Sequence, residues 1–319
     1  MKTSEHFLKG VLLVAAAGIL WGGMGTSVQH LYALDIGFTP LGLVTFRQLT
    51  AGGLFVAVSA LISPAKTFGI FKQPRIALDI FLSGAFVFLA HYTFFGSIYY
   101  SNAGTGAILL TTVPLFAALW YAFAKKEPVG RLEAACFLLA ASGVLLIVTD
   151  GDFSSLKFSP LALLWGLVSA IFAAAYSIQP IRAIKAVGVT PVVAWGILSG
   201  GIFASVFSPP WSIEVAWSLD AAFSFGFIVV FGTVIAFWCF MSGLKYISPV
   251  AAGLLNCLEP LSAFLFSVVL LGDRLGAVQL LGIALVVANV VLLSLGQDAR
   301  RKEKHRSDGN NAATNDSLE

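Results

Sequence analysis

Glu259 stands about halfway along an apolar stretch, 249–271, that is long enough to cross a bilayer. A carboxylate at that depth costs about 2.5 to 3.5 kcal/mol even on the lenient insertion scale, and ionisable groups so placed mark binding sites and proton relays by default. Two roles are open to it: facing a cavity, where it binds a substrate cation or cycles a proton, or locking two helices through a hydrogen bond. The insertion cost favours the first. Pro260 follows it, lacks an N–H, and frees a backbone carbonyl one turn earlier near Asn256, which puts polar backbone and an amide at the same depth. Arg47 lies about 10 Å below the outer end of its own stretch at the helical rise per residue. It can receive a substrate carboxylate or snorkel outward to a helix end, and snorkelling is favoured. His91 can shuttle protons near neutral pH, although a single membrane histidine more often bonds a neighbouring helix.

Aromatic residues make up 13% of the chain, so each alone says little. Trp21, Tyr92, Trp165, Tyr176, Trp195 and Trp238 fall within apolar stretches rather than at their ends, where interfacial belts form. Should several of them surround Glu259, the result is an aromatic cage with one carboxylate, suited to an amine or a quaternary ammonium. Trp120, Tyr121 and Trp211 sit near stretch ends and read as interface anchors.

These residues need a scaffold, and composition restricts it. Of 319 residues, 58% are hydrophobic and only 11% charged, with a mean hydropathy of +0.89. A soluble domain carries roughly 25% charge, so the solvent is lipid. Apolar runs fall at 10–29, 40–62, 76–98, 102–124, 130–149, 160–179, 190–207, 220–243, 249–271 and 276–296. Lysine and arginine test that count, because cytoplasmic loops hold the excess. With the N-terminus inside, 16 of the 19 fall inside, Lys157 and Arg274 fall outside, and Arg47 lies within a span. Both termini are therefore expected in the cytoplasm. Ala15–Ala17 suggests a signal-peptide site, but the apolar stretch before it is too short. The segment 297–319 lacks apolar periodicity and is expected to be a disordered cytoplasmic tail whose basic run meets anionic headgroups. Cys136, Cys239 and Cys257 show neither disulfide nor metal-ligand spacing and read as small packing residues.

An internal repeat organises the spans. YSNAGTGAILLTTVP begins at Tyr100 and YISPVAAGLLNCLEP at Tyr246; the tyrosines and the closing prolines, Pro114 and Pro260, share an offset of 146. The same offset carries Gly96 onto Ser242, Tyr92 onto Trp238 and Glu127 onto Asp273. Two five-helix halves follow, expected at 1–150 and 158–296. Five is odd, so the second half enters from the opposite side, the inverted architecture of many secondary transporters. Dense small residues, among them Gly22, Gly23 and Gly25 in the first span, let helices approach closely or bend during gating.

Leu20-Trp21-Gly22, Arg47, Pro114 with Glu127, and Glu259-Pro260 with Asp273, taken in that order with ten spans and the repeat, resemble the EamA-type group of the drug/metabolite transporter superfamily. The likeness covers about 10–296. Asp273 stands where that group usually has Glu, and Asn289 where it usually has a helix-ending Gly. The resemblance implies movement of small metabolites through a cavity between the halves, with amino acids among the cargoes of some members, and the cage resembles choline-permease-type relatives.

Rival classes fit less well. A serine intramembrane protease needs Gly two residues before Ser199, where Ile197 stands. An aspartyl type needs Gly where Leu270 precedes Gly272-Asp273. No Walker-type loop is present, and one central carboxylate with inverted halves disfavours a channel, which builds polar rings along an axis. The sequence thus predicts an all-α integral membrane protein of ten transmembrane helices in two inverted repeats. Its expected role is a secondary permease or exporter of amino acids, amines or quaternary ammonium compounds in the inner membrane. It needs no cofactor, metal or nucleic acid. The expected partners are a small-molecule substrate, coupled protons and membrane lipid, and a homodimer is compatible.

Overall fold

The computed structural model of the chain describes residues 2–101, 103–126, 130–155, 159–271 and 276–293. The helices are α1 (Lys2–Ala33), α2 (Pro40–Ile62), α3 (Pro64–Gly69), α4 (Pro74–Tyr99), α5 (Ala103–Leu110), α6 (Val113–Lys125), α7 (Arg131–Thr149), α8 (Pro160–Ile178), α9 (Ile181–Val187), α10 (Val189–Phe207), α11 (Leu219–Val229), α12 (Ala236–Gly243), α13 (Pro249–Leu255) and α14 (Leu258–Leu271), followed by α15 (Ala277–Leu293). A π-helical turn, Val230–Ile235, joins α11 to α12. Local sequence sets the starts. Thr39, Ser159 and Ser248 each accept a hydrogen bond from the backbone N–H three residues on, and each is followed by a proline at the first helical position. The cap satisfies an orphan donor, and proline costs nothing where no N–H is needed.

Among the described residues, eight continuous apolar runs are long enough to cross a membrane, with α5–α6, α8–α9 and α11–α12 each counting as one. The broken pair α13–α14 and the shorter α15 complete ten crossings. Glu127, Lys157, Asp273, Arg274 and the 297–319 tail lie outside the described residues.

Lipid offers little hydrophobic drive for helix association, so close packing of small residues carries it. Gly52 of α2 abuts the backbone of Leu198 in α10, and Gly84 of α4 abuts Gly196 and Ser199 of the same helix. Gly22 of α1 lies against the backbone of α14 at Glu259 and Ala263. Gly143 of α7 and Gly282 of α15 each face the other's carbonyl. Helix α4 packs on α8, and α1 on α12 and α14.

The contacts also locate the relation between the halves. The His91 and Phe237 rings lie 5.2 Å apart at 71°, and 237 minus 91 gives 146. A residue meets its own repeat mate only beside the axis relating the two copies. That axis therefore passes between α4 and α12. With five crossings in each half, the copies are inverted.

Ion pairs join the halves at both ends of the bundle. At the end carrying the start of α1, Arg182 grips Asp79 of α4 with two hydrogen bonds of 2.7 and 2.8 Å, and Gln179 donates to the Asp79 carbonyl at 2.9 Å. At the far end, His30 of α1 meets Asp220 of α11 at 2.8 Å.

Candidate functional site

Where the two halves meet at mid-depth, they leave a small cavity of about 30 Å³. Trp21 and Met24 of α1, His91 and Phe94 of α4, Ser169 and Tyr176 of α8, and Asn256 and Glu259 form its wall, together with Leu110 and Val113. Glu259 is only 6% exposed. Its carboxyl belongs to a chamber between the halves and not to the lipid face.

Two helix breaks place it there. In the fourth crossing, α5 stops at Leu110, a turn covers Thr111 and Thr112, and α6 begins with Val113-Pro114. In the ninth, α13 stops at Leu255, a turn covers Asn256 and Cys257, and α14 begins with Leu258-Glu259-Pro260. Proline within the first turn of each second segment explains the breaks, since its ring and missing N–H prevent the helix from running through. The Asn256 carbonyl expected to be freed accepts the Glu259 N–H at 2.9 Å instead. The side chain of Asn256 supplies the polarity, because its Oδ1 is buried with no hydrogen-bond partner among the described residues. Trp21 Nε1, across the chamber, is in the same condition. Close approach of α1 holds the wall in place: Ser262 donates to the Glu259 carbonyl at 2.9 Å and reaches the Ile19 carbonyl at 3.3 Å.

Aromatic rings surround the chamber, though not the full expected set. Trp21 packs on Phe237 and Phe240 at 5.3 and 5.1 Å, and Tyr176 lies 5.8 Å from Phe237 and 6.2 Å from His91. Trp21, Tyr176, His91, Asn256 and Glu259 are therefore brought together. Tyr92 and Trp165 form a separate contact at 4.8 Å, with Tyr100 beside Trp165. Trp238 is 42% exposed, and its Nε1 points to Thr190 at 3.3 Å. Trp195 donates to the Thr67 carbonyl away from the chamber. Phe94, Phe237 and Phe240 were not singled out from sequence. The signal was available, since Phe94 and Phe240 share the offset of 146 and flank the Tyr92 and Trp238 pair already recognised. A second signal is the repetition of Leu20-Trp21-Gly22 as Leu164-Trp165-Gly166, which aligns the first and sixth crossings.

Arg47 does not snorkel. It is fully buried, with Nη1 3.2 Å from Thr233 Oγ1 and 3.5 Å from Met24 Sδ, and its guanidinium lies 5.0 Å from the centre of the Phe95 ring. Thr233 belongs to the π turn, and its hydroxyl donates to the Ile228 carbonyl five residues back. That donation leaves the hydroxyl oxygen to accept from Arg47.

Residues 8–149 and 160–295 each match the EamA-like transporter family. The chain is 33% identical over 297 residues to a Salmonella typhimurium protein named an uncharacterized inner membrane transporter, YicL, covering 93% of this chain and 98% of that one. It is 27% identical to an uncharacterized transporter of Bacillus subtilis, YwfM, over 92% of this chain and 95% of that one. A solved crystal structure superimposes with a TM-score of 0.72 at 19% identity, covering 92% of this chain and 98% of that chain. That likeness concerns the fold alone.

Proposed function

The chain belongs to the EamA-like transporter family, and from that premise we propose that this membrane transporter works by alternating access around the Glu259 chamber. The observation that carries the reading is a buried carboxyl in a cavity shared by two inverted halves. Inverted copies can exchange shapes, so an opening toward one face has a mirror opening toward the other. Glu259 binds the cationic group of a small organic metabolite, and Asn256 Oδ1 and the faces of Trp21 and Tyr176 complete its shell. Amines, amino acids and quaternary ammonium compounds share that recognition chemistry. In the proton-coupled version, the same carboxyl carries a proton on the return step.

Positive charge on the loops supports an orientation with both termini in the cytoplasm, and the relative named an inner membrane transporter supports that membrane for this chain. Repeats at 1–150 and 158–296, followed by a tail at 297–319, fit the two matched segments. The protein acts as a carrier and not as an enzyme. The test is uptake into proteoliposomes under an imposed pH gradient, with candidate cargoes first selected by thermal shift. A ligand of the folded state raises its apparent stability. Saturable, gradient-dependent flux that is lost in Glu259→Gln supports the reading. Flux that survives at the wild-type rate in that variant confines Glu259 to packing.

A further inference from the structure

Arg47 is a buried cation that the reading above leaves without a role. Its Nε and Nη2 have no hydrogen-bond partner among the described residues, and the ion pairs found there, His30 with Asp220 and Arg182 with Asp79, do not involve it. An uncompensated charge in a dry interior is expensive, and one threonine oxygen, a thioether and a ring face are weak compensation.

Its neighbours leave it within reach of the chamber. Met24 lines the chamber and also touches Arg47 Nη1, so one unbranched thioether side chain forms the partition. Such a side chain has three rotatable bonds and repacks readily. Gly232 in the π turn makes room for it, because a Cβ there would lie 2.7 Å from Met24. Gly25, one turn from Trp21 on the same face of α1, is buried, yet a Cβ there would meet nothing within 4 Å. Room for a side-chain atom is therefore left beside Trp21 on the face of α1 that also carries Gly25.

The repeat scaffold does not require this arrangement. Aligning Gly37-x-Thr39-Pro40 with Gly188-x-Thr190-Pro191 sets Leu198 opposite Arg47, the offset of 146 sets Val87 opposite Thr233, and the counterpart of the π turn lies within regular α4. π turns inside α-helices occur frequently at functional sites.

We propose that Arg47 is the anion-accepting half of the substrate site, reached when the Met24 side chain swings aside, so that the cargo carries a carboxylate set apart from its cationic group. The proposal rests on the Glu259 chamber being the substrate site. The guanidinium offers two unused N–H donors in a planar fork, the geometry that suits a carboxylate. Glu259 takes the positive end of the same molecule.

The test is thermal shift and equilibrium binding on the full-length protein with matched pairs that differ by a carboxylate: tryptophan and tryptamine, lysine and cadaverine, carnitine and β-methylcholine. The expected result is at least one zwitterion that binds about tenfold or more tighter than its decarboxylated mate. Arg47→Met erases that preference, whereas Glu259→Gln weakens both. The proposal is overturned if every mate binds as well as its zwitterion, if no zwitterion binds, or if the preference survives Arg47→Met. The wild-type pairs decide the matter alone if that variant does not fold. A Glu259→Gln variant that binds both members normally overturns the chamber reading instead, and is recognised by the wild-type preference persisting.

Discussion

Leu110 and Val113 of the first half reach the chamber at the positions that Asn256 and Glu259 occupy in the second, and His91 faces Phe237 across the axis. Each pair is separated by 146 residues. The backbone plan is shared, including a break before proline in the fourth and ninth crossings, but the polar groups sit on one side of each pair. Arg47 with Leu198 and Thr233 with Val87 extend the pattern. A scaffold that needed polarity for packing would keep it in both copies. Polarity confined to one copy points to the cargo, which has no twofold symmetry of its own.

The largest effect is expected where that asymmetry is removed. Glu259→Gln lowers transport on the order of 100-fold, equivalent to about 3 kcal/mol of lost binding, while the folded yield stays near normal. Moving the carboxyl to the mate position with Val113→Glu and Glu259→Val sharpens the comparison. Less than roughly a tenth of wild-type flux is expected, because a buried charge needs a satisfied surrounding and Leu110 cannot replace Asn256. Full activity of the swapped chain makes the halves interchangeable and removes the argument from asymmetry.

A smaller effect separates the equivalent glycines Gly22 and Gly166. A Cβ on Gly22 collides with Ser262 Oγ and the Glu259 carbonyl, whereas the nearest atoms to one on Gly166 belong to the Leu109 side chain. Backbone cannot yield as a side chain does, so Gly22→Ala costs about 1 to 3 kcal/mol and Gly166→Ala less, measured by thermal melting in detergent. Equal losses contradict the close approach of α1 to α14. The smallest effects belong to the two exposed pairs at the bundle ends. Asp79→Asn and Asp220→Asn each change stability by about 1 kcal/mol or less.

Much of this was legible in residue order. Charge placement and the offset of 146 give ten crossings and two halves, and the cost of a mid-membrane carboxyl singles out Glu259. Facing direction was not legible for the aromatics. Tyr92 is next to His91 in sequence yet turns to Trp165, because one residue along a helix rotates about 100° and apolar stretches in lipid lack the polar face that marks orientation in water. Arg47 was misassigned for a related reason. Depth alone suggested snorkelling, and the partners that hold it, Thr233 and Met24, lie 186 and 23 residues away.

The central claim is that Glu259 and its neighbours occupy a chamber that opens to each side in turn. In a chain with Cys136, Cys239 and Cys257 replaced, Asn256→Cys and its mate position Leu110→Cys can be challenged with a membrane-impermeant thiol reagent from either face of oriented vesicles. Labelling of both positions from both faces is the predicted result. Labelling from one face only, or from neither, contradicts it.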